Sequence, residues 1–247
     1  MRFEKSVFYG DFHAPYEDPW CVKIAEQINL TFKPQYIFLL GDVCDFYQLS
    51  KFDKDPQRIN CLQQDIDAAI EILERMRTSA PKAKIVFFEG NHENRLWKYL
   101  WKNPELASLK ALTIQSLLKL DKFDIQFVGS LENYLYHSFC IEHGNIVRKW
   151  SAYTARGMME NRGVSGISGH THRLGSNYLT NLNGDFVWYE NGCMCDRNPF
   201  YLKNATWQNG LSVGYFRTSN GRFTVEQVCI PDGKCVFHGK EFGREID

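Results

Sequence analysis

Tyr36-Ile37-Phe38-Leu39-Leu40-Gly41-Asp42 carries the unit on which the rest of the chain is built: a short apolar run, then glycine, then a carboxylate. A run of about five such residues is too short for a buried helix and suits a buried strand, with the glycine opening the turn that leaves it. The same unit recurs along the chain. Residues 6–9 lead to Asp11-Phe12-His13, and 84–88 lead to Gly90-Asn91-His92-Glu93. Residues 134–142 lead to His143-Gly144, and 163–168 lead to Gly169-His170-Thr171-His172. Each donor-bearing motif is therefore predicted to sit on the loop leaving a strand.

The spacing between the first strands predicts helices. Asp18 can cap a helix that has Pro19 in its first position, with Trp20, Ile24 and Ile28 as its buried stripe. A long amphipathic helix is predicted over 59–76 from Leu62, Ile66, Ala69, Ile70, Leu73 and Met76. This βαβαβ order implies a parallel sheet with a site at the carboxyl ends of its strands. Residues 94–120, rich in Leu and Trp, read as one or two helices, an insertion or cap whose aromatics pack it onto the core. A short helix is expected over 150–160. Strands over 186–190, 211–216, 222–230 and 234–237, separated by Asn-Gly, Ser-Asn-Gly and Pro-Asp-Gly turns, are expected to form an antiparallel second sheet. With no linker-like tract, repeat or low-complexity segment, one domain over 1–247 is the economical reading.

Composition bounds the function without naming it. The chain has 247 residues, 44% of them hydrophobic and 23% charged, as an ordinary globular protein does. Its formal net charge is zero, so recognition of an acidic polymer must rest on local charge. No apolar stretch reaches the roughly 20 residues that span a bilayer, and no membrane role is expected. The N-terminal residues run straight into a strand, so no signal peptide is expected. The eight cysteines follow no disulfide or zinc-knuckle spacing and read as buried thiols of a cytoplasmic protein. Cys193-Met194-Cys195 lacks the second pair that a metal knuckle needs.

Asp-x-His or Gly-Asp-x-x-Asp alone occurs by chance in many chains. Five motifs in one order, each at a strand end, are another matter. They take up all of the seven histidines except His137 and His238. Carboxylate, amide and imidazole donors gathered in this way suit a two-metal hydrolytic site.

In these five blocks the sequence resembles the calcineurin-like metallophosphoesterase superfamily, over roughly residues 6–173. The His143–His172 segment is also similar to phosphoesterases of phages and their bacterial hosts. The resemblance implies an α/β fold, a four-layer α/β/β/α sandwich of two mixed sheets with flanking helices. It implies a dinuclear centre in which Asp11, His13 and His172 hold one ion, Asn91, His143 and His170 hold the other, and Asp42 bridges them. Two divalent ions are expected, Mn²⁺ first, with Fe, Zn²⁺, Ni²⁺ or Mg²⁺ as alternatives. His92, not itself a ligand, would stabilise the transition state or protonate the leaving oxygen, and a metal-bridging hydroxide would attack phosphorus. Asp45 and Glu93 are candidates for orienting the histidines.

Two departures narrow the resemblance. Ser/Thr protein phosphatases of the superfamily carry Arg-Gly where this chain has Phe46-Tyr47. The nearest substitutes for that phosphate-holding arginine are Arg95 and Arg148. The 94–120 segment, with Arg148, Lys149, Trp150, Arg156, Arg162 and Arg173, offers a basic, aromatic rim suited to a nucleotide or a single strand. The expected activity is a phosphodiesterase acting on a nucleotide or nucleic acid. A phosphomonoesterase, including a protein phosphatase, and an inactive scaffold are the rivals.

Overall fold

The computed structural model describes residues 2–55, 61–199 and 205–244. The predicted start of the second helix at Ile59 lies outside them. The chain runs β1 (Phe3–Tyr9), α1 (Pro19–Phe32), β2 (Tyr36–Leu39), α2 (Leu62–Ser79), β3 (Lys84–Phe88), α3 (Asn94–Lys102), α4 (Ile114–Leu117) and β4 (Ile125–Val128). It continues through β5 (Leu135–Tyr136), β6 (Phe139–Glu142), α5 (Tyr153–Arg162), β7 (Gly166–Ser168), β8 (Gly175–Asn181) and β9 (Gly184–Glu190). Last come β10 (Gly210–Arg217), β11 (Phe223–Cys229), β12 (Lys234–Phe237) and β13 (Lys240–Gly243).

Alternation along the strands builds the layers. Val7 and Tyr9 of β1, Ile37 and Leu39 of β2, and Ile85 and Phe87 of β3 bury against α1 and α2 in one core. Their neighbours Phe8, Phe38, Val86 and Phe88 point the other way and meet Phe139, Ile141, Ile167, Val187 and Tyr189 of a second sheet. The outer face of that sheet packs Cys140 and Trp188 on Ala155, Met158 and Met159 of α5. The order helix, sheet, sheet, helix is the expected four-layer sandwich. Fully burying one such Phe or Ile contributes about 1.5–3 kcal/mol, so the two-faced strands anchor the whole stack.

The sheets differ from expectation in membership. The first has the order β11-β10-β1-β2-β3-β4, and the second β5-β6-β7-β9-β8; β12 and β13 form a separate ribbon. The hairpin β10–β11 is antiparallel, as its turn predicts, but it extends the first sheet by pairing with β1, Phe3 opposite Arg217 and Phe8 opposite Ser212. The second sheet is mixed: β6–β7 and β7–β9 are parallel. The strand expected over 134–142 is a tight hairpin that turns at His137-Ser138. Strands β4, β8 and β13 were not anticipated.

The helices are close to their expected positions. Asp18 caps α1 by accepting from the backbone N–H of Trp20 (2.8 Å) and Cys21 (3.0 Å). Ile24 and Ile28 are fully buried, but Trp20 lies at the edge, where Gly233 packs on its ring. The 94–120 segment anchors through buried Leu96, Leu100, Ile114, Leu118 and Leu120. Among the described residues no helix is long and apolar enough to cross a membrane.

Candidate metal centre

Strands β1, β2 and β3 are parallel, so their carboxyl ends share one sheet edge, and parallel β6 and β7 bring theirs to the same place. The loops there are stitched together: Asp11 N–H donates to Gly41 O (3.0 Å) and His13 N–H to Asp42 O (2.9 Å). Turning donors inward from a strand end demands unusual backbone. Asp11, His13, Asp42, His170 and His172 all have positive φ, between 50° and 71°. Such strain costs about 1–3 kcal/mol per residue and persists only where the surroundings hold it. Gly41 (φ 90°) sits so close to Gly90 and His143 that a Cβ would come within 2.8 Å of each. That close approach is why glycine precedes the carboxylate there.

Two groups of donors result, with Asp42 between them. On one side His172 Nε2 lies 3.3 Å from Asp11 Oδ1 and 3.1 Å from His13 Nε2. On the other, His143 Nε2 lies 3.0 Å from Asn91 Oδ1, and His170 joins His143 and Asp42 with ligand atoms within 4.8 Å. Asp42 Oδ2 stands 3.8 Å from His13 Nε2 and 3.5 Å from His143 Nε2. All seven residues that the resemblance named are thus brought together.

The far ring nitrogens are anchored. His143 Nδ1 lies 2.7 Å from Leu40 O, and His13 Nδ1 lies 3.0 Å from Asp45 Oδ1, so each Nε2 is turned inward. Donors that converge in this way repel unless protons or a cation stand between them. In the chain alone protons take that place. Burial opposes a charge on His172, yet Asp11 outweighs it and pushes the ring up to about 9. His143 is buried too, and Asp42 and Asp11 raise it above its ordinary value. Burial and the neighbouring His143 lower His170 to about 4, leaving it a neutral donor. The donor set fits divalent ions. An ion held by Asp11, His13 and His172 must displace a proton from His172, so Mn²⁺ affinity there is expected to rise with pH by about tenfold per unit between about 7 and 9. Calorimetric titration across that range checks it, and a flat or falling profile would contradict the assignment.

No protein-family model matches the chain. The "Gene 54 protein" of Mycobacterium phage D29 is 25% identical over 263 residues, 96% of this chain and 97% of that protein. The structure of Vacuolar Protein Sorting 29 from Cryptosporidium parvum superposes with a TM-score of 0.50 at 14% identity, over 98% of this chain and 99% of that one. The fold is that of the calcineurin-like metallophosphoesterases. Yfce, a phosphoesterase from E. coli, aligns at a TM-score of 0.40 with 16% identity, over 92% of this chain and 100% of its own.

Within this metallophosphoesterase fold, the residues around the seven donors divide the work. Asp45 Oδ1 is 3.0 Å from His13 Nδ1 and 2.8 Å from His92 Nδ1, so one buried carboxylate orients both rings. Burial resists its charge, but those two histidines hold it well below the usual carboxylate range. Glu93 orients no histidine. Its carboxylate accepts the backbone N–H groups of Asp42 (2.9 Å), Val43 (2.8 Å), Cys44 (3.0 Å) and Gly90 (2.9 Å), locking two motif loops together. Thr171, between two donor histidines, turns away and donates to buried Glu190 (2.9 Å).

The two arginines part company. Arg95 donates to Asp45 O (2.7 Å) and places Nη2 2.9 Å from His92 Nε2. Arg148 does not join the donor cluster; its side chain lies against Gly157 of α5, because the loop after His143 carries it outward. Phe46, where protein phosphatases of the superfamily have arginine, is fully buried in the helix-side core. Two neighbours were not anticipated from sequence: the Trp207 ring meets His172 edge-on at 4.2 Å, and Cys195 Sγ lies 3.9 Å from His172 Nδ1. Cys193 and Cys195 are both buried.

Proposed function

We propose that the chain is a dinuclear-metal-dependent phosphoesterase and that its substrate is a phosphodiester of a nucleotide or nucleic acid. The observation that carries this reading is the position of Asp42 between His13 and His143, with further donors on either side. Asp11, His13 and His172 would hold one ion, Asn91, His143 and His170 the other, with Asp42 shared. Bound there, two divalent ions supply Lewis acidity to the phosphoryl oxygens and acidity to water.

His92 supplies the proton chemistry. Its Nε2 lies 3.8 Å from Asp42 Oδ2, beside the donors but on the more open side, where the side chain is 16% exposed. With Nδ1–H held by Asp45, Nε2 accepts from Arg95 while the ring is neutral. When Nε2 takes a proton it can no longer accept, and Arg95 is released to meet a phosphoryl oxygen. The protonated Nε2 then delivers its proton to the leaving oxygen. A single guanidinium, Arg95, suits the monoanion of a diester better than the dianion of a monoester, which calls for more positive charge.

Parallel assays with Mn²⁺ on a bis-aryl phosphate and an aryl monophosphate test this. The diester is expected to be the better substrate, with His92→Ala lowering kcat at least about 10²-fold while metal content is kept. A strong monoester preference overturns the diester assignment. Failure to take up metal favours an inactive scaffold.

A further inference from the structure

The two sides of the donor cluster differ in charge. Beside Asn91 and His143 opens a cleft of about 440 Å³ lined by Glu89, Glu132 and Glu142. Its one arginine, Arg162, is committed to Glu142 through two contacts of 2.7 and 3.1 Å. A polyanion gains nothing there.

The other side is basic and aromatic. From Trp207 on His172 the surface passes to Gln208, whose Oε1 lies 3.5 Å from Ser151 Oγ, and so to Trp150 and Tyr153. These two rings are 53% and 61% exposed. Lys149 lies over the Trp150 ring, 4.9 Å from its centroid. Beyond them a cleft of about 450 Å³ is walled by Arg148, Tyr153, Arg156 and Asn177. Arg173, next to His172, donates to Arg148 O (2.7 Å) and ties the cleft's edge to the donor loop. Among the described residues, Arg148, Lys149 and Arg173 line this path as cations beyond the Arg156–Glu160 pair, which is closed at 2.8 Å.

We propose that this path, from Trp207 past Trp150 and Tyr153 to the Arg148–Arg156 cleft, is a binding track for single-stranded nucleic acid that ends at the donor cluster. Exposed rings beside cations are what a single strand requires: unpaired bases stack on the aromatics while the phosphates meet the guanidinium groups. A duplex keeps its bases stacked internally and cannot use the rings. The proposal rests on the phosphodiesterase reading only for what happens at the end of the track; the track itself is a binding claim.

Fluorescence anisotropy of a labelled oligothymidylate with the full-length protein in a chelator measures binding without turnover. Trp150→Ala/Tyr153→Ala is expected to weaken binding by at least about tenfold. The same variant should leave hydrolysis of a small bis-aryl phosphate unchanged, since both side chains lie outside the proposed catalytic machinery. Arg148→Ala should lower the salt dependence of binding by about 0.7 in the log–log slope, the value for one lost single-strand phosphate contact. Absence of binding, equally tight binding of a duplex, or wild-type affinity in both variants would overturn the track. Intact oligonucleotide binding without hydrolysis of any diester would instead sink the catalytic reading and leave the track standing.

Discussion

Asp42→Asn is expected to lower kcat by more than about 10³-fold, because the Lewis-acid contribution that depends on a shared carboxylate is worth several kcal/mol. Both oxygens of Asp42 are in use. Oδ1 accepts the His92 backbone N–H at 2.8 Å, and Oδ2 faces His13, His92 and His143 at 3.5–3.8 Å. Asparagine keeps the shape, can retain the bond to His92 N–H, and tolerates the positive φ of this position. What it removes is the charge common to the two donor groups. Metal content measured by mass spectrometry should fall with activity, and the thermal transition of the chelated protein should fall as well, since, against the effect of burial, His143, His92 and His13 hold the Asp42 carboxyl in its charged form. Activity within tenfold of wild type would show that the two groups do not share this carboxylate.

Glu93→Ala is expected to cost at least about 4 kcal/mol of stability, a large part of the roughly 5–15 kcal/mol that a domain of this kind has. The side chain is fully buried, and its two oxygens accept four backbone N–H groups from two loops. Alanine leaves all four donors buried without an acceptor, and each such group costs about 1–3 kcal/mol. Glu93→Gln should be milder, because its single carbonyl oxygen can serve one pair of donors while its amide NH₂ opposes the other. Denaturant unfolding with metal present and absent gives both values. A loss below about 1 kcal/mol for the alanine variant would mean that the loops are held by something else.

Most of the donor geometry was legible because it is local. A strand period followed by Gly-Asp or Gly-Asn fixes where a side chain leaves a sheet, and parallel strands put such ends together. Sheet membership was not legible in that way. The Ser-Asn-Gly turn between β10 and β11 dictates a hairpin, yet nothing in a turn says which sheet the hairpin joins. Burial decided it, since Val213 and Phe216 complete the two faces of the sheet built on β1. Strand β4 has only four residues and delivers no donor, so no motif marked it. Strand β8 is an exposed edge without an apolar run. Glu93 reads from sequence as a histidine-orienting candidate; its role in holding the loops is not legible there because three of its four backbone partners are about 50 positions away. Arg148, though close to His143 in sequence, lies outside the donor cluster because the loop between them carries it away.

The pairing of β1 with β10 has a consequence for how the molecule comes into being. Every one of the seven donors precedes residue 173, yet the sheet that holds Asp11 and His13 is closed by residues 210–217, about two hundred positions from β1. Met194 N–H, also late in the chain, bonds the carbonyls of Gly10 and Asp11. Contacts of such long range form slowly, because a large loop must close before they are made. A ribosome that has released His172 has therefore made all seven donors before the sheet that carries Asp11 and His13 is complete. Through that interval the unpaired edge of β1 stands open, an invitation to chaperones and to misassembly that only the last strands of the sheet withdraw.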